Sequence, residues 1–478
     1  MKQKLKFLDT ALYTLAVGTG IRWIAVAAAV GPSSLPLWLL ALVTFFIPLA
    51  IATAELTARF DGEGGIYLWV RDTVGPFAGF LCGWFYWIAL MPYFASILYF
   101  LSGLILAALG GDPKDTVLYI SISVAISALV TGVQIAGLKY GKWLPNFGMA
   151  GGWIVVGIIV AMAVVIGARG QTATHFSHTF YLPPMTFDTA ILWGTIFFAY
   201  SGAEAVAFLR NEIEGGMRTV VRVLAILAVG SLFIYVAGTS AFLVILPQHE
   251  LTRLAGFPDA LRIGLTHVGL GAYAPVVIGL FALSMIGAFV GWFGVGARLP
   301  FAAGIDNFLP RTFAWRSPKT GAPIPAILLQ AAMMLVMIML SQFGTSVAGA
   351  YDYLVAMAVL GATIPYVFMF AGYLKMVRLP STPGVWTPPG GKRVRAAMGW
   401  IGQIATLVAI GCTLVPSSSD AHPFAGFLKI MISASIMFGA GALFYWLARR
   451  RGVRRQRSQR PRDSQDGAFT SRVGARWT

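Results

Sequence analysis

Charge is scarce in this chain. Only 11% of its 478 residues are Asp, Glu, Lys or Arg, against 58% hydrophobic residues. A soluble domain carries roughly 25% charged residues, so the composition is that of an integral membrane protein. Acidic residues are rarer than basic ones, 18 against 35, which leaves a net charge of +17. That excess does not read as nucleic-acid binding, because nearly all the basic residues lie in loops, span ends and a tail. Cysteine is nearly missing: Cys82 and Cys412 both lie in apolar runs and fit small core residues better than a disulfide or metal pair. The histidines are His175, His178, His249, His267 and His422. None falls in an apolar span, which disfavours a histidine proton relay across the membrane. No His/Cys cluster suggests a metal, and nothing suggests a cofactor. No nucleophile–His pair, metal set or phosphate loop lies at membrane depth, which argues against an enzyme.

What is abundant is apolar sequence in long runs. A helix needs about 20 apolar residues to cross a bilayer, and twelve segments are candidates: about 11–31, 36–58, 75–109, 115–136, 146–168, 188–209, 219–246, 270–302, 323–341, 347–374, 397–415 and 424–448. Residues 1–10, which begin Met1-Lys2-Gln3-Lys4-Leu5-Lys6, precede an apolar run without a small-residue cleavage site; they read as a cytoplasmic lead-in to a retained first helix. Residues 247–268 form a polar loop with room for short helices. Residues 379–396 form a Pro/Gly/Arg linker, and 449–478 form a basic, apolar-poor tail expected to be disordered.

Twelve crossings put both ends on one side. Assigning that side to the cytoplasm places 29 of the 35 Lys+Arg inside and five outside: Lys114, Arg169, Arg253, Arg262 and Lys429. Arg22 falls within the membrane. Without the ten of the tail the ratio is still 19 to 5, so the positive-inside rule supports this orientation.

Two spans carry internal breaks. The first reads Val17-Gly18-Thr19-Gly20-Ile21-Arg22, the sixth Phe198-Ala199-Tyr200-Ser201-Gly202-Ala203-Glu204. Lipid offers no partner to freed backbone groups, so a membrane helix breaks only where protein, water or substrate can satisfy them. Glycine-interrupted segments at corresponding positions of two halves point to a transporter's binding site. Unwound amides at the start of a half-helix attract a carboxylate, with the Thr19 hydroxyl beside them. Carbonyls near Val17 and around Phe198 to Ser201 would accept from an ammonium. Together they would cradle a zwitterion, the head group of an amino acid.

These residues resemble those of a known family. Gly18-Thr19-Gly20-Ile21 is similar to the first-helix break of permeases of the amino acid–polyamine–organocation (APC) superfamily. The run from Ala54-Glu55-Leu56 through Gly64-Gly65-Ile66-Tyr67-Leu68-Trp69-Val70-Arg71, Gly75-Pro76-Phe77 and Gly83-Trp84 resembles its second and third helices. Phe197 through Glu204 resembles its broken sixth helix. Gly296-Ala297-Arg298, Phe308-Leu309-Pro310 and Thr320-Gly321-Ala322-Pro323-Ile324-Pro325-Ala326 resemble its eighth and ninth. The resemblance spans roughly residues 8–445. It implies an all-α protein of 12 transmembrane helices with a LeuT-like 5+5 inverted repeat. The first repeat would cover 11–168 and the second 188–374, with helices 1 and 6 broken and two C-terminal helices in 397–448.

The resemblance also implies roles. Thr19 and Gly20 would bind a substrate carboxylate, and the carbonyls of Val17, Phe198 and Ser201 its amine. Trp292 would contact the substrate side chain and Phe198 would cap it. Compared with arginine/agmatine-type and glutamate/GABA-type exchangers, Tyr86, Glu204 and Tyr366 fall where an inner gate lies. The expected substrate shell is thus Val17, Gly18, Thr19, Gly20, Arg22, Phe198, Ala199, Ser201, Gly202 and Trp292, with Tyr86, Glu204 and Tyr366 gating or coupling to protons. The sequence also departs from the family pattern. The Asn-Pro-x-Arg after the sixth helix reads Gly215-Gly216-Met217-Arg218, and Gly152 stands where several proton-coupled members carry a lysine.

Ionisable groups in a membrane span are functional candidates by default. For Glu204, gating or proton carriage competes with a static hydrogen bond to Tyr86 or Tyr366. Glu55 reads as an interfacial structural pair, with Arg59 as a partner, and Asp352 as a cap at the start of the tenth helix. Three readings of Arg22 stand open: it binds a substrate carboxylate, pairs with Glu204, or snorkels to water. The expected activity is secondary active transport of amino acids or related amines across the cytoplasmic membrane, by exchange or proton-coupled symport. A polyamine permease and a non-transporting amino-acid sensor are the alternatives. The expected partners are a small-molecule substrate and the lipid bilayer, with no nucleic acid, in a monomer or homodimer. No sodium site is evident, since Ser284 is the only serine or threonine of the eighth segment.

Overall fold

The computed structural model of the chain describes residues 6–60, 65–137, 144–176, 181–183, 186, 189–302, 305, 308–380, 384–415 and 423–458. Helices account for nearly all of it, and no strand occurs among the described residues. Among the described residues, ten helices or continuous helical stretches are long and apolar enough to cross a membrane. The first and sixth expected spans are not among the ten, because each is cut. Their longest pieces, α1 (Phe7–Gly18) and α10 (Ala190–Ala199), have 12 and 10 residues. At 1.5 Å per residue neither piece alone reaches across about 30 Å of hydrocarbon.

After α1, residues 19–22 leave the helix and α2 (Trp23–Ala28) resumes it. The second span is α3 (Ser34–Ala41), a wide π turn (Leu42–Phe46) and α4 (Ile47–Arg59). Pro48 explains the widening: it has no N–H for the Thr44 carbonyl and its ring crowds it, so the turn opens to a bond from the Ile47 amide to the Leu42 carbonyl. A short helix, α5 (Gly65–Thr73), leads to α6 (Pro76–Ile88) and α7 (Leu90–Leu109), which join at Ala89, one turn ahead of Pro92. The chain continues through α8 (Thr116–Ala136), α9 (Leu144–Ala168), the broken α10, a 3₁₀ stretch (Ala203–Glu212) and α11 (Gly216–Ile245). Then follow α12 (Gly256–His267) in the polar loop, α13 (Ala274–Ala302), α14 (Ile324–Ser341), α15 (Val347–Arg378), α16 (Gly391–Thr413) and α17 (Pro423–Ser458).

The largest differences from the expected boundaries lie at three places. The short α5 precedes the third span, α16 begins at Gly391 instead of 397, and α17 runs to Ser458 instead of 448. The expected tail at 449–478 is therefore helical as far as Ser458, and its remainder lies outside the described residues. Asp352 requires a correction. The cap of α15 is Ser346, whose hydroxyl accepts from the Gly349 amide, and Asp352 lies inside the helix.

The stretch α6–α7 and helix α15 are the most buried, whereas α8 and α17 are the least. Leu129, Phe233, Leu280, Ile404 and Leu443 are all exposed on outer faces. A soluble monomer rarely shows so much contiguous apolar surface; lipid covers it here. The tightest crossing joins α9 to α13. A Cβ added at Gly148 would stand 2.2 Å from the Ala288 nitrogen, so only glycine fits. The Ser284 hydroxyl donates to the Gly148 carbonyl across this contact at 2.6 Å. One turn on, a Cβ at Gly152 would meet the Ile21 side chain at 2.7 Å, so α9 bears directly on the first break.

Candidate functional site

Several of the polar groups at the first break find partners. The Thr19 hydroxyl turns back to the Leu15 carbonyl at 2.5 Å. The Trp23 and Ile24 amides restart the helix on the Gly20 and Ile21 carbonyls. The Gly20 amide donates to the Tyr235 hydroxyl at 3.0 Å, and that hydroxyl donates to the Ala199 carbonyl at 2.7 Å. One tyrosine on α11 therefore ties the two breaks together. Its ring is buried, stacked on Trp38 with centroids 4.2 Å apart. The Trp38 indole is held by the Thr239 hydroxyl at 3.0 Å. Tyr235 was missed in the sequence. The available signal was a phenol amid a 30-residue apolar helix, where its O–H must find a protein partner.

At the second break, α10 stops at Ala199. The Tyr200 and Ser201 amides fold back onto the Phe197 and Phe198 carbonyls at 3.2 and 2.8 Å. Gly202 then adopts φ +103°, a left-handed conformation that favours glycine. Its amide donates to Glu204 Oε2 at 3.2 Å. Glu204 Oε1 accepts from Tyr86 at 2.9 Å and from Tyr366 at 2.8 Å. The structure thus brings together three side chains from α6, the 3₁₀ stretch and α15, across 118 and 162 residues of sequence. Glu204 is fully buried. Three donors converge on it and no cation lies among them.

Arg22 neither pairs with Glu204 nor reaches water: it is 4% exposed. Nη1 donates to the Ser96 hydroxyl at 2.8 Å. The guanidinium lies over the Trp23 ring at 4.2 Å and the Tyr93 ring at 4.6 Å. Both rings also meet Phe198, at 5.7 and 6.5 Å. Arg22, Trp23, Tyr93 and Phe198 therefore form one aromatic and cationic cluster between the breaks. Trp292 is partly buried on α13, but among the described ring contacts none joins it to this cluster. Gly18 closes α1 where a Cβ would press Leu227 at 2.8 Å. The chain at Val17 is the last turn of α1.

The remaining buried carboxylates have arginine partners. Glu55 pairs with Arg395 of α16, through both Nε and Nη2, and accepts from Tyr373 at 2.9 Å. This corrects the expected Arg59 pairing. Arg59 instead donates to the Met376 and Pro380 carbonyls, because it ends α4 and points onward along α15. Asp352 meets Arg253 at 2.8 Å. Arg210 caps the end of α4 by donating to the Thr57 and Phe60 carbonyls.

An all-helical membrane bundle with two interrupted helices facing each other, and a polar cluster between them, is the build of a membrane transporter. The sequence profile of the amino acid permease family matches residues 5–443. The chain belongs to that family, whose members are permeases and antiporters rather than enzymes. It is similar to an uncharacterized transporter of Legionella pneumophila, 24% identical over 87% of this chain and 90% of that protein. A glutamate/gamma-aminobutyrate antiporter of Lactococcus lactis is 24% identical over 79% of this chain and 77% of its own length. A probable agmatine/putrescine antiporter of the same species is 22% identical over 92% and 94%.

Proposed function

We propose that this protein is a secondary active transporter of amino acids or related amines, working by alternating access across the cytoplasmic membrane with both termini inside. In this reading the chain crosses twelve times, as a LeuT-like 5+5 inverted repeat with helices 1 and 6 broken and two further helices. The substrate lies between Val17–Arg22 and Phe198–Gly202, with Trp292 on the far wall. The observation that carries the reading is the meeting of the two breaks: Tyr235 bridges them, and Glu204, two residues past Gly202, is clasped by Tyr86 and Tyr366. That clasp joins three elements that must separate if the inner path opens, which suits a gate. The antiporter relatives favour exchange, and Gly152 in place of a lysine removes one route to proton coupling.

The test is uptake into proteoliposomes after a thermal-shift screen of amino acids and common polyamines. Substrate-dependent accumulation that is accelerated by internal substrate supports exchange. Binding without any uptake in either direction would mark a sensor of the same fold and end the transport reading. For Glu204, the Glu204→Gln variant is expected to retain binding and lose any pH dependence of uptake; an unchanged pH profile removes the proton role.

A further inference from the structure

We propose that Arg22 is the carboxylate clamp of the substrate site, so that the protein carries substrates bearing a carboxylate and rejects amines without one. This rests on the transport reading and narrows its substrate class.

A guanidinium stays charged at every accessible pH, and a buried charge is costly unless paired and hydrogen-bonded. The other buried arginine among the described residues obeys that rule: Arg395 holds Glu55. The part-buried Arg253 likewise holds Asp352. Arg22 has no carboxylate among the described residues. Of its three nitrogens only Nη1 has a partner; Nε and Nη2 are buried with none. Those two nitrogens form one edge of the planar group, the edge that grips a carboxylate through two parallel bonds. Arg395 uses the same edge on Glu55. The Trp23 and Tyr93 rings flank the guanidinium, and neither gives that edge an oxygen to bond.

Two of the break's donors are already engaged. The Thr19 hydroxyl is turned onto Leu15, and the Gly20 amide is given to Tyr235. A substrate carboxylate finds two unengaged, charged donors at Arg22. The Tyr351 hydroxyl of α15 is likewise buried without a hydrogen-bond partner. Glu204 cannot serve as the missing anion, since Tyr86, Tyr366 and the Gly202 amide already surround it. A diamine placed here would set a second cation beside an uncompensated guanidinium.

The full-length protein in nanodiscs is titrated with pairs differing by one carboxylate: alanine and ethylamine, leucine and isoamylamine, arginine and agmatine, ornithine and putrescine. Glutamate and γ-aminobutyrate form a further pair in which both members keep one. At least one amino acid is expected to bind at least tenfold more tightly than its decarboxylated partner. Arg22→Gln is expected to weaken that acid about tenfold to hundredfold, the range for a charge-assisted hydrogen bond. Arg22→Lys restores only part, because an ammonium lacks the fork. Should Arg22→Gln not fold, Arg22→Lys decides alone, with about a tenfold loss expected. An amine that binds as tightly as its parent acid overturns the assignment while leaving transport intact, as does unchanged acid affinity in the variant that folds. If no compound binds and none enters proteoliposomes, the transport reading falls and takes this one with it.

Discussion

Tyr235→Phe isolates the strut between the two breaks. The substitution keeps the ring stacked on Trp38 and removes only the oxygen. Two backbone groups then lose their partner, the Gly20 amide and the Ala199 carbonyl. Leaving a buried polar group unsatisfied costs about 1–3 kcal/mol. The carbonyl has a second lone pair and is the more forgiving of the two, and Gly20 is only partly buried. The sum is about 2–3 kcal/mol, or roughly a 30- to 150-fold fall in the ratio of folded to unfolded protein at about 1.4 kcal/mol per tenfold. Tyr200 supplies an internal control. It packs edge-on to Tyr235 at 5.3 Å and is equally buried, but its hydroxyl has no hydrogen-bond partner. Tyr200→Phe should therefore be neutral or stabilising by up to about 1 kcal/mol, because it removes an unsatisfied group. Both variants are measured by denaturant titration in mixed micelles, followed by tryptophan fluorescence. If Tyr235→Phe stays within about 0.5 kcal/mol of the parent, or if Tyr200→Phe costs as much, the bridge does not stabilise the breaks.

Other outcomes follow from single contacts. Arg395→Met strands the buried Glu55 carboxylate and should cost about 3–5 kcal/mol; adding Glu55→Gln should recover most of it in the same titration. Gly148→Ala drives a methyl into the α13 backbone and should cost about 3 kcal/mol or abolish folding. Gly157→Ala on the same helix meets open space and should be neutral or gain about 0.5–1 kcal/mol; size-exclusion profiles of the two separate the cases. Gly202→Ala forces a Cβ into φ +103°, at about 1–2 kcal/mol. It should also weaken the Glu204 clasp, read as faster inward leak in proteoliposomes.

Much of this protein was open to reading from composition and local pattern. The bilayer imposes a rule on each span separately: it must be long, apolar and self-bonded. That rule made the uninterrupted spans visible and made Gly18–Gly20 and Ser201–Gly202 stand out as violations of it. Caps are local too, yet Asp352 was misread as one, because Ser346, six residues earlier, served the same purpose and no periodicity chose between them.

The pairings across the bundle could not be read this way. Tyr235 meets Gly20 over 215 residues, and Arg395 meets Glu55 over 340. In each case many residues of the right type were available, and sequence distance carries no information about which helices become neighbours. Glu55 could be matched to Arg59 by helical spacing, but α4 ends at Arg59, so its side chain reaches past the carboxylate. Arg22 was left with three candidate fates for the same reason. Whether a buried cation meets a carboxylate, water or an aromatic pair depends on which side chains α7 presents to it. Only packing put Tyr93 and Ser96 there and kept Glu204 away.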